Sequence, residues 1–331
     1  MRVAVMGAGS WGTAFGQVLC DAGQDVVLWC RRPDLAAMIN DTGRNNDYLP
    51  GIELPPQLTA VSDPAVALEG AGAVALAVPS QTLRANLAGW RVDPESIMIS
   101  LAKGIEVGTG LRVSQVISEA SGHDAERLCV VSGPNLAREI AERQPCSTVV
   151  ASSSARTAEQ VQELCHTRTF RAYTNTDVIG CELGGATKNV IAIAVGAGVG
   201  LGMGHNALAS VITRGLAEIT RLGLALGAKE HTFAGLAGLG DLVATCSSPL
   251  SRNRTFGEAL GRGRTVADVV ASTRQVAEGV KSCRSIVDLA RRHRVEMPIA
   301  EAVARVVGGE ATPEEMINAL LARSAKPERT R

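Results

Sequence analysis

Aromatic side chains are scarce in this chain: three tryptophans, two tyrosines and four phenylalanines make up 3% of its 331 residues. So few rings leave little on which the bases of a single-stranded nucleic acid would stack. An excess of charge is missing too. Lysine plus arginine and aspartate plus glutamate stand at 33 each, and a balanced chain lacks the broad cationic footprint of a nucleic-acid binder. Paired cysteines are also absent. The eight are scattered, with no C-x-x-C and no Cys/His cluster at zinc spacing. That favours reduced thiols over a disulfide frame, and no metal site is expected. The chain opens directly on "RVAVM" and a small-residue turn, so no signal peptide is expected and the protein reads as cytoplasmic.

What is present begins with that turn. After the apolar run Val3 to Met6, Gly7, Gly9 and Gly12 fall in G-x-G-x-x-G register, an amphipathic run follows from Thr13 to Asp21, and "DVVLW" (25–29) reads as a second strand. This is a strand-turn-helix-strand unit of dinucleotide-binding type. Gly7 would allow the tight turn, Gly9 the approach of a pyrophosphate, and Gly12 the packing of helix on strand. The helix N-terminus would offer N–H donors to the phosphates. At the end of the second strand, where an NAD site usually has an acid, stand Arg31 and Arg32. They match a 2′-phosphate and hence NADP, or else are a solvated pair. Asp34 is near enough to reach a ribose, which keeps NAD open.

Further unalternated apolar runs, at 71–81, 96–105, 127–140 and 146–153, suit a parallel sheet covered on both faces. Ligands in such sheets lie at the carboxyl ends of the strands, which singles out Pro79-Ser80, Lys103-Gly104 and Gly133-Pro134-Asn135. Lys103 is either functional or a solvated strand end.

No Lys, Arg, Asp or Glu occurs from Asn189 to Thr213. The length would span a bilayer. However, glycines at 196, 198, 200, 202 and 204 and the pair His205-Asn206 interrupt the run. A buried helix in a helical domain is expected, with Lys188 at its head and the glycines admitting neighbouring helices. Lys188 either carries proton transfer from a low-dielectric site or snorkels to water. Arg214, Glu218 and Arg221 are expected on the solvated face of the next helix. In "SPLSRNRTFG", Ser251, Arg252 and Asn253 at a helix start make either a phosphate site or an ordinary N-cap. Two amphipathic helices should complete the fold. The chain thus reads as a doubly wound, mostly parallel α/β domain over 1–180, an all-α domain over 181–323, and a disordered tail over 324–331.

With "GAGSWGTA", "NNDYLPG", "AKGIE", "SGPNLAREIA", "ELGGATKNVIAIAVG", "GLAGLGDL", "SRNRTFG" and "VAEGV" assembled, the chain resembles bacterial NAD(P)-dependent glycerol-3-phosphate dehydrogenases nearly end to end. The resemblance implies a Rossmann domain and a helical domain with the active site between them. It implies reduction of dihydroxyacetone phosphate to sn-glycerol 3-phosphate with NADPH or NADH, for phospholipid synthesis, and a possible homodimer. By position, Lys188 matches the family's proton donor and acceptor. Lys103, Gly133, Asn135, Asp241, Ser251, Arg252 and Asn253 match substrate contacts. Ser10, Trp11, Arg31, Arg32, Tyr48, Lys103, Ala137, Arg252, Val276 and Glu278 match cofactor contacts beside the three glycines. Asn135 departs from the Ser or Thr of many bacterial members. Another two-domain β-hydroxyacid or phosphogluconate-type dehydrogenase is the rival enzyme. A non-catalytic NADP sensor is the rival of a different class, though it would need the cradle and not the lysines.

Overall fold

Successive side chains along a strand point to opposite faces, and here both faces are apolar. The computed structural model describes residues 1–272 and 277–324; Val276 and the tail 325–331 lie outside the described residues. Eight strands form one sheet: β1 (Arg2–Met6), β2 (Asp25–Trp29), β3 (Thr59–Val61), β4 (Ala73–Leu76), β5 (Ile97–Ser100), β6 (Leu128–Ser132), β7 (Cys146–Ala151) and β8 (Phe170–Asn175). Their order in space is β3-β2-β1-β4-β5-β6-β7-β8. Every neighbouring pair is parallel except β6 with β7. Val3 and Val5 enter one apolar layer with Phe15, Val26 and Ile99. Ala4 and Met6 enter the other with Val27, Val74 and Met98. The order reverses beside β1, and such a reversal opens a crevice at the carboxyl edge of the sheet.

No strand follows Asn175 among the described residues. The Asp177 carboxylate accepts the Gly180 N–H at 2.9 Å and starts the long helix Val178–Gly200. Lys188 is therefore interior to this helix and not at its head, a correction to the sequence reading. The charge-free run is also two helices, not one. Gly202, at φ +76°, turns the chain into a second helix, His205–Ala225. Val178–Gly200 is the one described helix long and apolar enough to cross a membrane, and 89% of its apolar window is buried inside the protein.

Its glycines serve close approach. A Cβ at Gly196 or Gly200 would strike the backbone at Arg254 or Glu258, and one at Gly257 or Gly261 would strike that of Ile193 or Ala197. The helix Arg252–Gly261 thus lies backbone to backbone along the long helix, which carries the "SRN" segment to the Lys188 region. Glu218 is not solvated as expected. It is 2% exposed and accepts the N–H groups of Ile299 at 2.8 Å and Ala300 at 3.2 Å, the otherwise unpaired donors at the start of helix Pro298–Val307. Among the described residues three helices, not two, follow residue 277, with Glu278–Arg292 before Pro298–Val307 and Pro313–Leu321 after it.

Two of the devices that join sheet to helices lie just after β5. Glu182, on the long helix, accepts the Ser114 N–H at 2.6 Å and hydroxyl at 2.7 Å and pairs with Arg112. From the loop after β5, Ile105 is sealed in the helical core at 0% exposure, and Arg292 donates to the Thr109 carbonyl at 2.9 Å.

Candidate active site

The glycine turn leads from β1 into helix Ser10–Asp21. Gly7 has φ +130°, and a Cβ there would lie 2.8 Å from the Ala77 carbonyl. A Cβ on Gly12 would strike the Gly7 carbonyl and come within 2.8 Å of the Ala77 side chain. Gly9, at the helix N-cap, is different: a Cβ there would meet nothing within 4 Å. Two glycines are closed against protein while the middle one faces open space beside the N-terminus of helix Ser10–Asp21, the arrangement a pyrophosphate requires. The residues fit the group. The "NNDYLPG" loop is fastened to this cradle. Asn45 donates to the Ala8 carbonyl at 3.0 Å and to Thr13 at 2.8 Å, and the Ser10 hydroxyl donates to the Tyr48 carbonyl at 2.8 Å. Trp11 stacks obliquely on Phe15, centroids 5.5 Å apart. Arg31 and Arg32 are exposed just past β2, and Arg32 is paired with Asp47 and, at 3.7 Å, with Asp34. Ala137 opens the short helix Ala137–Ala141, half-buried.

Across the carboxyl edge lies a cluster of three charges. A π-helical turn, Leu236–Gly240, delivers Asp241 at the start of helix Asp241–Ser247. Asp241 is 1% exposed. One carboxylate oxygen accepts Lys103 Nζ at 2.6 Å, and the other accepts Lys188 Nζ. Lys103 also donates to the Gly133 carbonyl at 3.2 Å. Gly133 has φ +148°, with Thr148 against the place of a Cβ. Lys188 also donates to Thr245 Oγ1 at 2.7 Å. An ammonium has three donors, so a third remains on each lysine for a ligand oxygen.

Burial pulls the Lys188 pKa down to about 8, against the attraction of Asp241 and with the help of Lys103. The sequence left open which influence prevails; desolvation does. At 7% exposure, the snorkelling alternative does not describe this side chain. Thr245 is a site residue the sequence reading lacked. Its signal was the i, i+4 spacing from Asp241 on one helix face.

The phosphate candidates divide. The Ser251 hydroxyl accepts the Arg254 N–H at 3.3 Å as N-cap of its helix. The Asn253 amide donates to Asn189 at 2.9 Å and accepts the Gly279 N–H at 2.9 Å, tying three helices together. Arg252 sits between them on the accessible side and faces Glu278, whose carboxyl pKa is raised by burial and held back by the Arg252 charge. Glu278 also accepts the Ser80 hydroxyl at 3.3 Å, which joins the β4 edge to the helical side. The Asn135 side-chain amide donates to Thr148 at 2.9 Å, and its backbone N–H shares the Gly133 carbonyl with Lys103. Two cavities of about 390 and 420 Å³ are lined by none of these residues; the charges instead meet along the junction between sheet edge and helices.

Residues 2–158 match the family model of the NAD-dependent glycerol-3-phosphate dehydrogenase N-terminus, and residues 177–318 that of its C-terminus. A glycerol-3-phosphate dehydrogenase [NAD(P)+] of Thermobifida fusca is 61% identical over 331 residues, covering 99% of this chain and 98% of that one. One from Streptomyces avermitilis is 58% identical with the same coverage. The crystal structure of glycerol-3-phosphate dehydrogenase from Coxiella burnetii superimposes with a TM-score of 0.93 at 38% identity, over 97% of this chain and 99% of that one. Two matched halves, a doubly wound sheet with a glycine cradle, and lysines gathered on a buried aspartate agree: the chain belongs to the NAD-dependent glycerol-3-phosphate dehydrogenase family.

Proposed function

We infer that this chain interconverts dihydroxyacetone phosphate and sn-glycerol 3-phosphate with NAD(P)H. In this reading, residues 1–180 form the dinucleotide domain and 181–323 the substrate domain, and the protein is a cytoplasmic enzyme, a possible homodimer, that supplies phospholipid synthesis. The observation that carries it is the buried Lys103–Asp241–Lys188 cluster at the sheet edge.

Gly7, Gly9, Gly12, Ser10 and Trp11 would hold the dinucleotide pyrophosphate, with Arg31, Arg32 and Tyr48 toward the adenosine and Ala137, Arg252 and Glu278 completing the contacts. When bound, the nicotinamide supplies the hydride taken up by the C2 carbonyl carbon. Lys188 holds a proton at Nζ and gives it to the carbonyl oxygen, where negative charge develops. Lys103 adds a second positive charge, and Asp241 fixes both ammonium groups. Arg252, with Ser251 and Asn253 at the same helix start, holds the substrate phosphate; Gly133 and Asn135 line the opposite wall.

The test is steady-state loss of NADPH absorbance with dihydroxyacetone phosphate and with unphosphorylated dihydroxyacetone. At saturating NADPH, which removes any effect through the cofactor, Arg252→Ala should lower kcat/KM for the phosphorylated substrate by about 10–100-fold, the range of a lost charge-assisted bond, and leave the poor substrate nearly unaffected. Equal losses on both substrates would remove Arg252 from the phosphate site. Oxidation of neither NADPH nor NADH by the parent would remove the reading itself.

A further inference from the structure

The cofactor-facing end of β2 holds an acid the strand itself lacks. Arg32, just beyond the strand, is bound by the carboxylate of Asp47, with Asp34 at 3.7 Å on the same guanidinium. Asp47 comes from the "NNDYLPG" loop. That loop is held in place at both sides of Asp47: Asn45 is fully buried and bonded to Ala8 and Thr13 of the glycine turn, and the Tyr48 carbonyl is bonded to Ser10. Its side chain is 25% exposed and that of Arg32 44%, so the pair borders solvent where an incoming ligand would meet it. A dinucleotide-binding β2 usually ends in an acid that accepts the ribose 2′-hydroxyl, or near an arginine that receives a 2′-phosphate. Here both are present and bonded to each other.

The geometry points to Asp47 as a specificity-determining residue that sets the balance between NADH and NADPH. This rests on the dinucleotide reading above. A 2′-phosphate, carrying up to two negative charges, must share Arg32 with a carboxylate held against it. Like charges on one guanidinium repel, so Asp47 weakens the phosphorylated cofactor. A ribose 2′-hydroxyl brings no charge and finds in Asp47 an acceptor. The arginine pair alone reads as a preference for NADPH; Arg32 with Asp47 is a site that tolerates both cofactors.

The experiment is equilibrium calorimetry on the full-length protein with four ligands: NADPH, NADH, adenosine 2′,5′-bisphosphate and 5′-AMP. The bisphosphate and AMP differ only at the 2′ position and involve no turnover. Asp47→Asn keeps the shape of the side chain and removes its charge. It should tighten binding of the bisphosphate and NADPH by about fivefold, the size of one partly screened charge pair, and change NADH and AMP by less than twofold or weaken them. The gain should shrink in high salt and vanish in Asp47→Asn/Arg32→Ala. Parallel shifts for all four ligands would mean that Asp47 merely orders its loop, and no shift would mean that it is indifferent to the 2′ position; either overturns the inference and leaves the dinucleotide reading standing. A parent that binds neither NADH nor NADPH would overturn both.

Discussion

Lys188 holds its proton less firmly than a lysine in water, and that sets a direction for pH dependence. Its pKa is lowered to about 8, chiefly by burial, so the ammonium predominates below that pH and the free amine above it. In the proposed mechanism the forward reduction draws on the ammonium and should fall as pH rises through about 8, and the reverse oxidation draws on the amine and should rise over the same interval. Asp241 pulls the Lys188 pKa upward, so Asp241→Asn should move both limbs to lower pH. Profiles of kcat against pH in the two directions check this. Lys188→Met should lower turnover by about 10² or more with NADPH affinity, measured by calorimetry, retained. Near-parental turnover would make the lysine structural. Local signals made the residue itself legible: a single charge before a long uncharged run. Its partners were not legible. Lys103 and Asp241 lie 138 residues apart in sequence and Lys188 and Thr245 lie 57 apart, and only tertiary packing brings them together.

The elements show where pattern reading succeeds and where it fails. The cradle was readable because strand, turn and helix are contiguous and each glycine answers a local need. The start of the long helix was misplaced because the eye follows charge, while the determining residue is Asp177, a plain N-cap. Glu218 was misassigned for a related reason. Helical spacing places it on one face, but a later helix, with Pro298 in its first turn, turns its N–H groups toward that carboxylate. Burial raises the Glu218 pKa to about 7 against those two bonds. A carboxyl raised from its ordinary value takes up a proton on folding, so its contribution is most favourable at low pH. It is lost as pH rises from about 4.5 to about 7, by up to about 3 kcal/mol. Glu218→Gln should remove that slope. Urea unfolding of parent and variant between pH 5 and 8 measures it; identical slopes would show that Glu218 is ionised throughout.

At the scale of the whole molecule, two folds of ordinary kind are joined so that the clustered charges come from both, Lys103 from the sheet side and Lys188 and Asp241 from the helices. Fold class and the run of strands then helices followed from apolar periodicity. The junction did not, because Ile105 is one apolar residue in a loop and nothing in its neighbourhood announces that it belongs to the other domain's core. Ile105→Ala should lower stability by about 2–5 kcal/mol, the range for emptying such a site. Scanning calorimetry should then resolve sheet and helical regions into separate transitions, where the parent should show one. A single transition in the variant would assign the coupling to Glu182 and Arg112 instead.

The placement of Ile105 also bears on inheritance by recombination. A crossover at the apparent seam, after β8, would join the sheet of one relative to the helices of another. Such a hybrid would fit its plug from one parent into a socket shaped in the other. A hybrid that takes plug and socket from one parent must therefore take the helical half together with the short loop after β5, a piece discontinuous in sequence.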